Sequence, residues 1–319
     1  MIFEKQIVNA YKGMMYTRCD DTETVFYFSH RDFPGLSAQP YSFSSSLGHT
    51  LSGYVYSYDG ASADRLVVFD HGFGGGHLAY MKEIERLCRH GYVVLAYDHT
   101  GCMESEGDTP GGLAQSLSDL NDCISAVKSD EQFAGVDISV MGHSWGAFST
   151  LNITALHPDI THIVAMCGFV SVDEMISTIF GGPLKMYRKA VLSLERESNL
   201  EFSKFDAKKT LSASDTKALL IYSSDDKLCR RNHYDILKCA LKEKENVRFI
   251  LEDGKGHNPN YTKDAVKYLA DFVKKRGKLL KKKSLTKEEK ESFVASFDWD
   301  RMTEQDDTVW SKILEHLDN

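Results

Sequence analysis

Ile138-Ser139-Val140-Met141-Gly142-His143-Ser144-Trp145-Gly146-Ala147 is the stretch on which the reading of this chain turns. Ile138 to Met141 is a β-rich run that drives into Gly142. Ser144 stands at the tip of a Gly-x-Ser-x-Gly turn, and a helix-like run of small residues follows. A strand, a sharp elbow and a helix in that order force a serine hydroxyl out of the backbone and into a cleft. Gly142 and Gly146 suit a turn that is tight and whose flanking elements pack closely. The five-residue pattern alone recurs by chance. Its weight comes from its flanks and from two further sites that follow it in the right order.

Upstream, Leu66 to Phe69 is a short, fully apolar run, the mark of a strand buried on both faces of a parallel sheet. It leads into Asp70-His71-Gly72-Phe73-Gly74-Gly75-Gly76, at the strand end where α/β sheets bind ligands. Backbone N–H groups in so glycine-rich a loop can converge on an anion. The loop lacks the Lys and Ser/Thr of a phosphate-binding loop and the spacing of a dinucleotide fingerprint. Downstream, Leu220 to Ser224 is a strand leading to Asp225-Asp226-Lys227-Leu228. Phe249 to Leu251 leads to Asp253-Gly254-Lys255-Gly256-His257-Asn258. The first loop offers carboxylates to orient an imidazole, and the second offers a glycine-flanked, exposed imidazole.

Between these sites short apolar strands alternate with amphipathic helices. Tyr92 to Tyr97 and His162 to Gly168 read as strands, and His77 to Arg89 and Leu113 to Val127 as helices. Leu117, Leu120, Ile124 and Val127 recur at helical spacing. This is βαβ grammar, and it predicts a mostly parallel sheet with helices on both faces. From Val172 to Ser214 the rhythm breaks. No strand is predicted there, only helical pieces over Asp173 to Phe180 and Leu184 to Glu201, parted by Gly181-Gly182-Pro183. Met175, Ile179, Phe180, Met186 and Tyr187 are divided between lining a pocket and packing a lid onto the core.

At the N-terminus a short helix is expected within Met1 to Asp21 and a β-like run over Thr24 to Ser29. Tyr41 to Ser46 and Leu51 to Tyr58 read as a hairpin. Its alternating Tyr54, Tyr56 and Tyr58 read as strand packing. Ala265 to Val273 reads as the helix that closes the sheet. After it come basic residues Lys274, Lys275, Arg276, Lys278, Lys281, Lys282 and Lys283. An acidic stretch around Trp299 and Trp310 follows (Asp298, Asp300, Glu304, Asp306, Asp307), then an amphipathic helix over Thr308 to Leu317 expected to dock on the body.

The 319 residues suffice for one large α/β domain or two small ones. The net charge of -8 argues against nucleic acid or an anionic membrane as partner. Met1 to Gly13 shows no signal peptide, and no apolar run is long enough to span a bilayer. The seven cysteines are scattered, odd in number and without a CxxC pair, as expected of free thiols in a reducing cytoplasm. No His/Asp/Glu spacing calls for a metal, and no cofactor is expected.

A serine hydroxyl is a poor nucleophile without a base in hydrogen-bond reach. His257 is suited to take its proton and return it to a leaving group. A buried carboxylate would fix the tautomer of that imidazole. The backbone N–H of Trp145 and one from the Phe73 region are placed to hold an oxyanion. With these sites in hand, the chain resembles α/β-hydrolases of the serine esterase, lysophospholipase and serine aminopeptidase-like group. The matches are His71-Gly72-Phe73-Gly74, Gly142-His143-Ser144-Trp145-Gly146, Ser223-Ser224-Asp225-Asp226-Lys227-Leu228-Cys229 and Gly256-His257, within roughly Ser42 to Lys274. The resemblance selects Asp226 over Asp225 as the triad acid. Asp98 to Ser105 resembles the family's Asp-x-x-Gly-x-Gly-x-Ser loop, with Met103 in place of its second glycine.

The resemblance implies an α/β-hydrolase fold, with a mostly parallel central sheet flanked by helices and a small helical cap. The expected division is a core over 1–172 and 215–276, a cap insertion over 173–214 and a charged C-terminal extension over 277–319. The implied activity is serine-dependent hydrolysis of small, aryl or short-acyl carboxylic esters, with Ser144, Asp226 and His257 catalytic and Phe73 and Trp145 forming the oxyanion hole. A small-molecule ester is the expected partner, with no integral membrane contact. A peptidase or amidase using the same groups, and a non-catalytic binding protein of the same fold, are the competing readings.

Overall fold

The structure, a computed structural model, describes residues 3–62, 64–282 and 284–319. Met1 and Lys283, which entered the readings of the N-terminus and the basic stretch, lie outside the described residues. The chain opens with α1 (Glu4–Met15) and crosses to a hairpin of β1 (Ser37–Ser44) and β2 (Thr50–Ser57). It then alternates through β3 (Arg65–Asp70), α2 (Met81–Arg89), β4 (Val93–Tyr97), α3 (Gln115–Ser129), β5 (Asp137–His143), α4 (Trp145–Asn152) and β6 (His162–Met166). The helices α5 (Val172–Ile179), α6 (Arg188–Ser198) and α7 (Ala207–Ala213) separate β6 from β7 (Lys217–Ser223). There follow α8 (Arg231–Ala240), β8 (Val247–Glu252), α9 (Lys263–Leu279), α10 (Lys287–Ala295), α11 (Trp299–Met302) and α12 (Asp307–Asp318).

The strands form one sheet in the order β1-β2-β4-β3-β5-β6-β7-β8. From β4 to β8 the pairing is parallel, and β1 and β2 continue the sheet antiparallel at one edge. Alternate side chains explain why the parallel strands are apolar throughout. Val68, Val140, Ala165 and Leu220 face one layer with α3 and α4, while Val67, Met141, Val164 and Leu219 face the other with α2. Burying each such Val or Leu is worth about 1.5–3 kcal/mol, and a one-residue slip would exchange the two faces. The carboxyl ends of β3, β5, β7 and β8 therefore all arrive at one edge, which is where the site lies.

Two expectations are corrected. Thr24 to Ser29 is not a strand. It runs as irregular chain whose Phe26 and Phe28 pack on one another and on Trp299 and Phe33, so aromatic docking takes the place of ladder pairing. The helix over the sheet's second face is α12, not α9. Val309, Trp310, Ile313 and Leu317 are buried against the strands, whereas Phe272 of α9 packs outward with Phe297 and Met302. The amphipathic helix expected over Thr308 to Leu317 is thus present as α12 and docks on the body. Within 173–214, α5 and α6 pair with each other, and α7 lies on the body, where Thr210 Oγ1 donates to Asn152 Oδ1 of α4 at 3.1 Å.

The charge runs pair mostly with partners other than one another. Arg276 meets Asp21, Lys275 meets Asp271, Lys282 meets Glu289, and on the acidic side Asp300 and Asp307 meet Lys82 and Arg86. Among the described residues no helix is long and apolar enough to cross a membrane.

Candidate active site

β5 ends at His143 and α4 begins at Trp145, so Ser144 alone makes the bend. Its φ of 56° and ψ of -111° lie outside the regions an L-residue prefers. Two hydrogen bonds hold it there: Ser144 N donates to Met166 O at 2.8 Å, and Phe148 N donates to Ser144 O at 3.1 Å. A Cβ at position 142 would strike Thr150 and the backbone of Gly146, and one at 146 would strike the backbone of Asp70. Both glycines are thus required by close approach.

The structure brings the predicted residues together at this bend. His257 Nε2 is 2.8 Å from Ser144 Oγ, and its Nδ1 is 2.7 Å from Asp226 Oδ2. Asp226 is buried, and its other oxygen accepts from Leu228 N at 2.8 Å. Asp225 is exposed and accepts from Gly256 N at 3.1 Å, with no hydrogen bond to the imidazole among the described residues. Cys167, at the end of β6, is buried beside Asp226, and burial followed by that carboxylate pushes its thiol well up. The ligating atoms of Cys167, Asp226 and His257 lie within 4.8 Å of one another, the one such group among the described residues. Two of the three are already hydrogen-bonded within the Ser-His-Asp array.

Phe73 and Trp145 flank Ser144, their rings 5.2 Å apart, and neither backbone N–H has an acceptor among the described residues. Beneath them is a set of neutral imidazoles that the sequence did not disclose. His143 faces the carbonyl of His257 through Nε2 at 2.7 Å, so that nitrogen carries the proton. Its Nδ1 then accepts from Tyr80 Oη at 2.9 Å, and Tyr80 Oη accepts from Gly72 N at 3.0 Å. Burial, then the neighbouring His257, pushes His143 down to about 3.

His71 is arranged in the same way. Its Nδ1 donates to Gly72 O at 2.7 Å and its Nε2 accepts from His99 N at 2.9 Å. Burial pushes it down to about 3 as well. Gly72 O and Phe73 N share one peptide plane, so the grip on that oxygen fixes where the Phe73 N–H points.

His99 is the opposite case. Burial opposes its charge, but Asp70 at 3.0 Å from Nε2, off the line of a good hydrogen bond, and Asp119 at 3.2 Å from Nδ1 outweigh it and push the imidazole up to about 10. The neighbouring Asp98 loop keeps its turn without the second glycine. Met103 itself adopts a φ of 39°, and Asp98 Oδ2 accepts from Glu104 N at 3.1 Å.

A cavity of about 400 Å³ opens at Ser144. Of the residues left undivided by sequence, Met175 and Ile179 line it, Phe180 and Tyr187 are buried, and Met186 is exposed. Met14 and Met15 of α1 also line it, as do Lys227 and Arg230. No local pattern marks these, because the wall they form is a tertiary contact between distant segments.

A sheet of this order, with a strained serine between strand and helix and a histidine and acid on later loops, defines the α/β-hydrolase fold. Residues 61–248, more than half of the chain, match the family described as Serine aminopeptidase, S33, and the chain belongs to that family of α/β-hydrolases. Among curated proteins, the uncharacterized protein YqkD of Bacillus subtilis (strain 168) is 27% identical over 136 residues. That match spans 42% of this chain and 43% of the relative. Among solved structures, the Pyrococcus furiosus esterase Pf2001 superposes with a TM-score of 0.60 at 19% identity, over 83% of this chain and 98% of that one. Acetyl xylan esterase 1 from Thermoanaerobacterium sp. JW/SL YS485 gives 0.52 at 15% identity, over 85% and 92%. At such identities the likeness speaks for the fold.

Proposed function

We propose that this protein hydrolyses carboxylic esters of small, aryl or short-acyl type through an acyl-enzyme on Ser144. The observation that carries the reading is the unbroken contact from Asp226 through His257 to Ser144, at 2.7 and 2.8 Å, at the floor of an apolar cavity. Ser144 Oγ attacks the ester carbonyl carbon as His257 Nε2 takes its proton. Asp226 holds the other ring nitrogen and stabilises the imidazolium. The carbonyl oxygen, now negative, accepts from the N–H groups of Phe73 and Trp145, each worth about 3 kcal/mol in the transition state. The intermediate collapses, and His257 returns the proton to the departing alkoxide. Water then attacks the acyl-enzyme by the same route and frees Ser144.

The choice of ester over peptide rests on charge. An aminopeptidase must hold the ammonium of a peptide N-terminus, which calls for a carboxylate in the pocket. Among the described residues lining the cavity there is no Asp or Glu, and the charged ones are Lys227 and Arg230. Cations at the mouth repel an ammonium and leave a neutral ester indifferent. Turnover of p-nitrophenyl butyrate beside an aminoacyl p-nitroanilide tests this. Clear ester cleavage with little anilide cleavage is expected, and the reverse refutes the choice. Absence of Ser144 labelling by a fluorophosphonate would favour the non-catalytic reading instead. The seven unpaired cysteines fit a reducing compartment such as the cytoplasm.

A further inference from the structure

The N-terminal helix has a place in this molecule that its sequence does not announce. Met14 and Met15, at the end of α1, form part of the cavity wall at Ser144. Two tyrosines close by reach a single carboxylate on α6. Tyr11 Oη donates to Glu195 Oε1 at 2.7 Å, and Tyr16 Oη donates to the same oxygen at 3.0 Å. The other oxygen, Oε2, accepts from Leu113 N at 2.7 Å. Leu113 is itself a cavity residue, and its carbonyl accepts from the indole of Trp145 at 2.8 Å.

Glu195 is buried and forms no ion pair among the described residues. Burying a carboxylate without a cation is costly, and here three donors offset that cost. The fit around it is close. Gly112, with a φ of 92°, would place a Cβ 2.5 Å from Tyr16 Oη and 2.9 Å from Glu195 Oε2. Two more bonds tie the same end of α6 to that loop and to the first residue of α3: Ser198 Oγ donates to Gly111 O at 2.8 Å, and Asn199 Nδ2 donates to Gln115 Oε1 at 3.2 Å. One acid on α6 thus joins α1 to the loop that carries Leu113, and both α1 and that loop supply residues of the cavity wall.

We propose that α1 is a wall of the acyl pocket and that Glu195 is the positioning residue that holds it there, so that acyl-chain preference is set by the N-terminal segment. The proposal rests on the reading of Ser144 as the residue that accepts the acyl group. A longer chain leaving Ser144 gains contact with Met15, whereas an acetyl group ends short of it.

The test is the ratio of kcat/KM for p-nitrophenyl octanoate to that for the acetate, in the full chain. In the double variant Tyr11→Phe/Tyr16→Phe, Glu195 loses two donors but keeps Leu113. The ratio is expected to fall about tenfold, the contact of roughly two methylenes, with the loss in KM for the octanoate. Met15→Trp, which narrows the pocket without touching Glu195, is expected to lower the same ratio and covers the case in which the double variant folds poorly. A latch with only a structural role would lower the melting temperature and leave the ratio alone. Active protein whose ratio stays within about twofold in both variants overturns the proposal by itself. Wild-type protein that neither turns over any of the esters nor takes up a fluorophosphonate overturns the ester reading, and this proposal with it.

Discussion

Asp226→Asn is the substitution on which the geometry speaks most directly. Asp226 presents one oxygen to Leu228 N at 2.8 Å and the other to His257 Nδ1 at 2.7 Å. An asparagine must choose. If its carbonyl keeps the Leu228 N–H, its amide NH₂ points at His257 Nδ1 and forces the ring proton onto Nε2. An Nε2–H facing Ser144 Oγ cannot accept the serine proton. If the amide flips, two donors oppose one another at Leu228, which costs about 1–3 kcal/mol for the buried group left unpaired. The main-chain donor therefore drives the wrong tautomer. Loss of the base in this way lowers kcat on the order of 10⁴-fold in triads of this kind, or about 5 kcal/mol of barrier. Asp225→Asn, by contrast, keeps an acceptor for Gly256 N on an exposed side chain and should cost less than about 1 kcal/mol. The assay is the steady-state rate with p-nitrophenyl butyrate, with melting curves for both variants. A larger loss in Asp225→Asn than in Asp226→Asn, or a loss below about tenfold in Asp226→Asn, refutes the reasoning.

Ser144→Ala should abolish both ester turnover and fluorophosphonate labelling, and its melting temperature should not drop, since the residue's backbone bonds to Met166 and Phe148 remain. Tyr80→Phe removes the hydroxyl between Gly72 N and His143 Nδ1. We expect kcat for the acetate ester to fall about 10- to 100-fold with KM little moved, equivalent to one buried donor left without a partner; unchanged kcat would count against the oxyanion-loop role. The neutral, buried His71 and His143 set an acid limb of stability. Their folded values, about 3, lie below the unfolded value near 6.5, so their contribution is full above the latter and is lost as pH falls through the window between. Urea unfolding of His143→Gln at several pH values should show that slope reduced by about 1.4 kcal/mol per pH unit, one proton's share. An unaltered slope would mean that His143 is not held neutral.

What could be read in advance follows from what kind of contact made it. The strands were legible because burial on both faces leaves a run such as Val67-Val68-Phe69 with nothing polar in it. Ser144, Asp226 and His257 were legible because each sits in a loop of small or polar residues directly after such a run, and the sheet register then brings those loop ends together. In the tail, the amphipathic helix over Thr308 to Leu317 and its docking were legible, but the surface it covers was not. Phe272 and Trp310 both lie in amphipathic helices, and periodicity says that a helix buries a face without saying which surface receives it. The aromatic cluster of Phe272, Phe293, Phe297 and Trp299 occupies the buried face of α9 away from the sheet, which α12 covers instead. The α1 wall was hidden for the same reason: Tyr11 and Glu195 are far apart in sequence, and nothing local to either names the other.

The strain at the elbow has a counterpart one strand over, and the two explain how the edge is held. Cys167 has a φ of 51°, beside the 56° of Ser144, and both are non-glycine residues just past the end of a parallel strand. Dihedrals of that kind cost about 1–3 kcal/mol each and persist only where the surroundings over-determine them. Here the parallel ladder does so by continuing one rung beyond each strand. Ser144 N donates to Met166 O at 2.8 Å, Cys167 N donates to Ile221 O at 2.8 Å, and Ser224 N donates to Glu252 O at 2.9 Å. Each strand's exit is thus pinned to its neighbour in a staircase from β5 to β8. The serine leaves it at β5, the loop of the acid at β7 and the loop of the histidine at β8, so their separation is set by sheet register and not by the loops themselves. That is why a half-buried, glycine-flanked loop can hold an imidazole at hydrogen-bond distance from a hydroxyl more than a hundred residues away in sequence.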